Sequence, residues 1–141
     1  MKTKKVELGS QNQITKPNLH DSNITKIEFL EDSVAFYFKL VTDQTCCIEF
    51  SGEVYLRCDN VLEGNIIFDV VVHPAGDACM EWVEDVNSFS FKEVGEQQKL
   101  HYETTLKKFQ DGELKLVSIN PSYGCEGIIT CKNITYFICE K

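Results

Sequence analysis

Long hydrophobic runs are missing from this 141-residue chain. None approaches the roughly 20 apolar residues that a membrane-crossing helix needs, so no spanning segment and no membrane partner are expected. The opening Met1–Leu8 is basic. Gly9, Ser10, Gln11 and Asn12 then stand where a secretory signal would place its apolar stretch, so the reading is cytoplasmic. Positive charge is also scarce, with 14 Lys and Arg against 22 Asp and Glu, a net −8. That balance argues against a nucleic-acid backbone as principal ligand, because phosphate binding needs a basic surface. It favours attraction of a basic partner. Proline is rare, at three residues, and tryptophan occurs once.

Familiar catalytic patterns are absent as well. The sequence holds no G-x-S-x-G, no Walker loop, no G-x-G-x-x-G and no H-E-x-x-H. Its three histidines, His20, His73 and His101, lie far apart. The seven cysteines form no C-x-x-C and are odd in number. In a reducing compartment they read as small core hydrophobes rather than disulfides. No cofactor is expected.

What is present is β periodicity. Ile27 and Phe29 alternate with Lys26 and Glu28, and after Glu31-Asp32-Ser33 the set Val34, Phe36 and Phe38 alternates again. This is the pattern of a hairpin. Cys46, Ile48 and Phe50 share one strand face, and Val54, Leu56 and Cys58 another. Ile66–Val72, apolar on both faces, predicts a central strand ended by Pro74. The last third reads as strands from Leu100 to Phe109, from Leu114 to Asn120, from Ile128 to Cys131 and from Ile134 to Cys139. Asp111-Gly112 reads as a hairpin turn, and Asn120–Gly124 as a loop. Residues 79–98 are ambiguous, with a short helix or a strand both open. Residues 1–18 are a polar arm, flexible or loosely docked. Residues 19–141 then form one all-β or β-rich domain. The architecture expected is an antiparallel sandwich or partly open barrel of about eight to ten short strands, with at most one short helix.

Several groupings offer chemistry. His20-Asp21 pairs a base with an acid, but neighbours on an extended chain point apart. The structural reading has Leu19 as anchor, with Asp21 and Ser22 bonding to local backbone. His73, Asp77 and Cys79 form H-x-x-x-D-x-C, a weak set of metal-ligand types short of a fourth donor. Cys125, between Gly124 and Gly127, is the thiol expected to be exposed, though Glu126 beside it disfavours a thiolate. Glu81, Trp82, Glu84, Asp85, Glu93 and Glu96 lie in the most acidic stretch. They are the candidate partner-binding residues, with Trp82 as anchor or as ordinary core.

Asn18-Leu19-His20-Asp21-Ser22, followed by Ile24–Phe29 and Val34–Phe38, resembles the opening of several groups of small bacterial proteins. Some of those are similar to the immunity proteins of polymorphic toxin systems. The resemblance spans Asn18 to Phe38 and transfers no functional residues. With the net charge of −8 and the missing catalytic patterns, it points to a non-enzymatic binding protein that captures a basic partner, as an immunity protein would capture a toxin. A monomer or weak homodimer is expected. Two alternatives stay open: a small-ligand binder or enzyme on a β-barrel or sandwich, its cavity lined by phenylalanines, and a structural or assembly subunit that pairs through a strand edge.

Overall fold

The structure, a computed structural model, describes residues 2–73 and 96–139. It is the antiparallel β fold that the alternation predicts. In chain order the strands are β1 (Lys4–Lys5), β2 (Glu7–Leu8), β3 (Ile14–Lys16), β4 (Asn23–Phe29), β5 (Ser33–Lys39), β6 (Thr45–Ser51), β7 (Tyr55–Asp59) and β8 (Ile66–His73). A helix, α1 (Glu96–Gln110), precedes β9 (Lys115–Tyr123), β10 (Glu126–Cys131) and β11 (Asn133–Ile138).

Nine strands form one open sheet in the order β1-β11-β6-β5-β4-β8-β9-β10-β7, and β2 pairs with β3 alone. Between β4 and β8 the register is a single pair, Asn23 opposite Ile66. Ile24 N–H to Asn65 O and Ile67 N–H to Ser22 O extend that join. The sheet thus divides into a five-stranded and a four-stranded half. Their inward residues share one core, Phe36, Phe38, Ile48 and Phe50 from the first and Ile67, Val70, Val117, Ile119 and Ile129 from the second. All nine are less than 2% exposed. Each such burial is worth roughly 1.5–3 kcal/mol. Phe36 sits at the centre, edge-on to Phe50 at 5.6 Å and stacked with Phe38 at 6.3 Å.

The β4–β5 hairpin is where its alternation puts it, with Phe29 opposite Val34 and Ile27 opposite Phe36. β8 is an interior strand, as expected, but its two faces differ: Ile67, Val70 and Val72 are buried whereas Ile66 and Phe68 are exposed. The loop expected at Asn120–Gly124 is strand through Tyr123. Pro121 is tolerated there because the β8–β9 register shifts on either side of Ile67, its partner.

The reading of Leu100–Phe109 as strand is corrected, since these residues lie within α1. Asp111-Gly112 likewise closes no hairpin. Gly112, at φ +78°, ends the helix, with its N–H on Phe109 O at 3.1 Å and Glu113 N–H on Lys108 O at 2.9 Å. These two bonds satisfy carbonyls that a helix end leaves open. Phe109 anchors the last turn at 2% exposure.

The polar N-terminal segment lies along the domain. Lys4 and Lys5 pair with Tyr136 and Thr135 of β11. Ile14 and Leu19 are buried in the common core. Among the described residues, no helix is long and apolar enough to cross a membrane.

Candidate binding surfaces

Strand β5 has a recess at each end. At its start, the β4–β5 turn is closed by Leu30 N–H to Ser33 O at 2.9 Å and tied to the next loop by Gly52 N–H to Asp32 O at 3.3 Å. A shallow groove of about 360 Å³ opens beside it, lined by nine residues that include Glu31, Asp32 and Glu53 but no Lys or Arg. Its apolar part is unusually open to solvent, with Phe29 71%, Leu30 48% and Tyr55 46% exposed. Three large apolar side chains on one groove are more than the scattered exposure that any surface shows.

Glu53 closes the groove in a left-handed conformation, φ +49°. Its carboxylate takes both oxygens' hydrogen bonds from Lys108 Nζ at 3.1 Å, and Lys132 Nζ lies 3.4 Å away. The hydrogen bond from Lys108 is the main reason its carboxyl is held below the usual range. This bridge also fastens the end of α1 to the sheet. Glu31 and Asp32 are left as the open charges of the groove.

At the other end, the β5–β6 turn folds by Leu40 N–H to Gln44 O at 2.8 Å and Asp43 N–H to Leu40 O at 2.9 Å. Here lies the larger recess, about 510 Å³, bounded by the turn, the end of β11 and the N-terminal segment. Lys2, Lys4 and Lys16 line it, and none of its twelve lining residues is Asp or Glu. Its floor is apolar, from Leu40, Val41, Tyr136, Phe137 and Ile138. Lys16 makes an exposed contact with Glu7 at 3.6 Å. Lys2 and Lys4 make no ion pair among the described residues. Asp43, on the same turn, is 3.7 Å from Lys39. Seven residues of strand rise about 3.3 Å each, so the acidic and the basic recess are separated by roughly 20 Å.

The residues singled out from sequence fare differently. Glu81, Trp82, Glu84, Asp85 and Glu93 lie outside the described residues, as do Asp77 and Cys79. Glu96 is the first residue of α1. His73 is hydrogen-bonded through Nε2 to Ser118 Oγ at 3.0 Å. Asn120 Nδ2 donates to the same hydroxyl at 3.3 Å and to Asp69 Oδ1 at 2.7 Å. The result is a polar ladder across β8 and β9, with Asn120 directly opposite Asp69. Among the described residues no group of three or more His, Cys, Asp or Glu is arranged to hold a metal.

Cys125 is a correction. It is fully buried, not exposed. Gly124, at φ +90°, turns the chain so that Cys125 N–H reaches Asn65 Oδ1 at 3.0 Å, where a Cβ on residue 124 would stand 2.6 Å from that same oxygen. Its thiol and that of Cys58, both free of disulfide, share a hydrogen bond, which lowers the Cys125 thiol and raises that of Cys58. Elsewhere burial pushes Cys46 and Cys131 up to about 12 and Cys47 to about 11. These are core thiols, as the sequence suggests.

His20 and Asp21 approach more closely than an extended chain allows, because Asp21 has φ +60°. Their side chains are 3.6 Å apart and both are exposed. The backbone explains the arrangement: Asp21 N–H bonds to Ile67 O, and His20 Nδ1 is 2.9 Å from Phe68 O. Ser22 Oγ donates to Leu19 O at 2.6 Å, so the expected local anchoring at Leu19 and Ser22 is present.

Sequence reasoning missed both recesses. The acidic one has a signal, Phe29-Leu30 against Glu31-Asp32, in a polar break that reads equally as a plain turn. The basic one had none, because its lysines and its floor come from three distant stretches. Compared with protein-family models, with curated proteins and with solved structures, the chain matches none.

Proposed function

We propose that the protein is a non-enzymatic binding protein of the cytoplasm that captures a basic protein partner, in the manner of an immunity protein held against a toxin. The observation that carries this reading is the start of β5, where Phe29, Leu30 and Tyr55 are exposed beside the open carboxylates of Glu31 and Asp32. Aromatic side chains are favoured anchors at the energetic centre of an interface, and charge belongs to its rim. The carboxylates steer a cationic surface inward and fix its orientation, and the apolar groups then hold it. The turn is pre-formed by its own hydrogen bonds, so little ordering is required on docking.

The acidic stretch Glu81–Glu96 adds to the same attraction. It contributes Glu81, Glu84, Asp85, Glu93 and Glu96 against one base, Lys92.

The test is affinity capture at low salt from the source cell, with wild type and Phe29→Ala/Asp32→Lys as matched baits. A basic protein retained by the first and lost from the second is the expected result. Co-expression of the chain should then suppress the toxicity of that protein. Identical protein sets on both baits would refute the reading.

A further inference from the structure

The basic recess at the far end of β5 serves no purpose in capturing a cation. We propose that it is a binding site for a small amphipathic carboxylate, an aliphatic chain or ring bearing one anionic head. The chain carries eight more acids than bases, yet the lining of this recess has three lysines and no acid. Charges scattered at random in that ratio would place acids there more often than lysines. The lysines also come from separate places. Lys4 is held by the β1–β11 pairing opposite Tyr136, Lys16 by β3 just before buried Pro17, and Lys2 by its place ahead of β1.

Between the lysines the floor is aliphatic and aromatic. Val41 is 62% exposed, and Leu40 and Tyr136 supply the deeper part. A volume near 510 Å³ falls within the roughly 300–1,000 Å³ of small-molecule sites. Apolar walls with a few converging polar groups are also what such sites are made of. Asn18, Thr42 and Gln44 add neutral groups able to donate hydrogen bonds to a carboxylate. A bare inorganic anion would leave the floor unused, and a neutral hydrocarbon would leave the lysines unused.

The probe is decanoate, titrated calorimetrically below its micelle concentration, with decyltrimethylammonium as the head-group control. Decanoate should bind and the cation should not, and raising the salt should weaken the binding. Lys2→Gln/Lys16→Gln should weaken it roughly three- to tenfold, as expected for two exposed ion pairs. Val41→Asp attacks the floor from a position too exposed to disturb folding, and should weaken it at least as much. Asp32→Lys lies roughly 20 Å away, beyond the screening length of about 8 Å, and should leave it unchanged. The site and the basic-partner reading therefore fail or stand separately. No heat with decanoate up to about 1 mM, equal binding of the two head groups, or full binding by both the lysine and the Val41 variants would each overturn the proposal.

Discussion

The two turns that bound β5 are built from similar parts and arrive at opposite charge. At the first, Phe29 and Leu30 stand next to Glu31 and Asp32 in the chain, and the groove is completed by Glu53–Tyr55. At the second, Leu40 and Val41 receive no acid from their own recess, and lysines arrive from residues 2, 4 and 16. The open charges and two of the anchors of the acidic end, Phe29 to Asp32, are local in sequence and form with the hairpin, and Glu53–Tyr55 complete the groove from the next loop. The basic end exists only once the N-terminal segment has docked and β11 has paired. A net charge of −8 describes neither end. It describes a sum, and a ligand meets a surface of a few residues across a short screening length.

Strand β5, packed through Phe36 and Phe38 into the core, is the rigid spacer between the two ends. The strongest way to break it is Phe36→Ala, which removes the ring at the centre of the core. It should cost about 3–5 kcal/mol in denaturant unfolding and weaken both ends together. Loss of binding at one end alone would show that the ends are independent of the shared core. A smaller and one-sided effect is expected from Glu31→Lys/Asp32→Lys. Association with a basic partner should slow by about tenfold at low salt and lose its salt dependence, with stability within about 0.5 kcal/mol of wild type. Stopped-flow kinetics at two ionic strengths checks this.

Glu53 sharpens the acidic end through pH. Its carboxyl titrates below its unfolded value when folded. Its contribution to stability is therefore complete above the unfolded value of about 4.3, and is lost as pH falls through the folded value. The group is 40% exposed, so the contribution is less than about 1 kcal/mol. Glu53→Gln should unfold more easily than wild type at neutral pH, and the gap should close on acidification below the usual carboxylate range. The least effect concerns Cys139, whose N–H bonds to Thr45 O beside the basic recess. Of the six described cysteines only Cys58 and Cys139 are partly exposed. The hydrogen bond with Cys125 and burial hold Cys58 as the unreactive thiol. Among the described cysteines thiol titration should therefore label Cys139 first, and decanoate should slow it by a few-fold.

How far this was legible in the sequence varied with the distance over which each feature is specified. Period-two alternation in Ile24–Phe29 and Val34–Phe38 is a local signal with one solution, and the hairpin follows from it. Helix α1 gave no such signal. It is polar throughout most of its length, Leu100 is 65% exposed, and Phe109 is its buried anchor among the residues whose side chains are described. With no continuous apolar stripe, Tyr102 and Leu106 read equally well as strand. Asp111-Gly112 was ambiguous for another reason, since a helix C-terminus and a hairpin make the same demand for positive φ. Cys125 looked exposed because glycines flank it. It is turned inward by Asn65, which lies sixty residues away. The basic recess was invisible for the same reason, written in pieces at both ends of the chain.

The two-residue strand β1 has a meaning beyond the lysine it places. It lies along the outer edge of β11, whose sequence Asn-Ile-Thr-Tyr-Phe-Ile holds no charge, no proline and no glycine. Six uncharged residues of high β propensity are the make-up of a segment that seeds fibrils when its edge is left open. Lys4 and Lys5 occupy part of that edge, and lysine is the residue that sheets commonly use to discourage a second chain from adding to them. The opposite edge, β7, presents Arg57 and Asp59 instead. Shortening the chain past Lys5 would therefore turn a capped border into a template. The loss would register as turbidity and dye-binding aggregates on storage, well before any change in the melting of the fold.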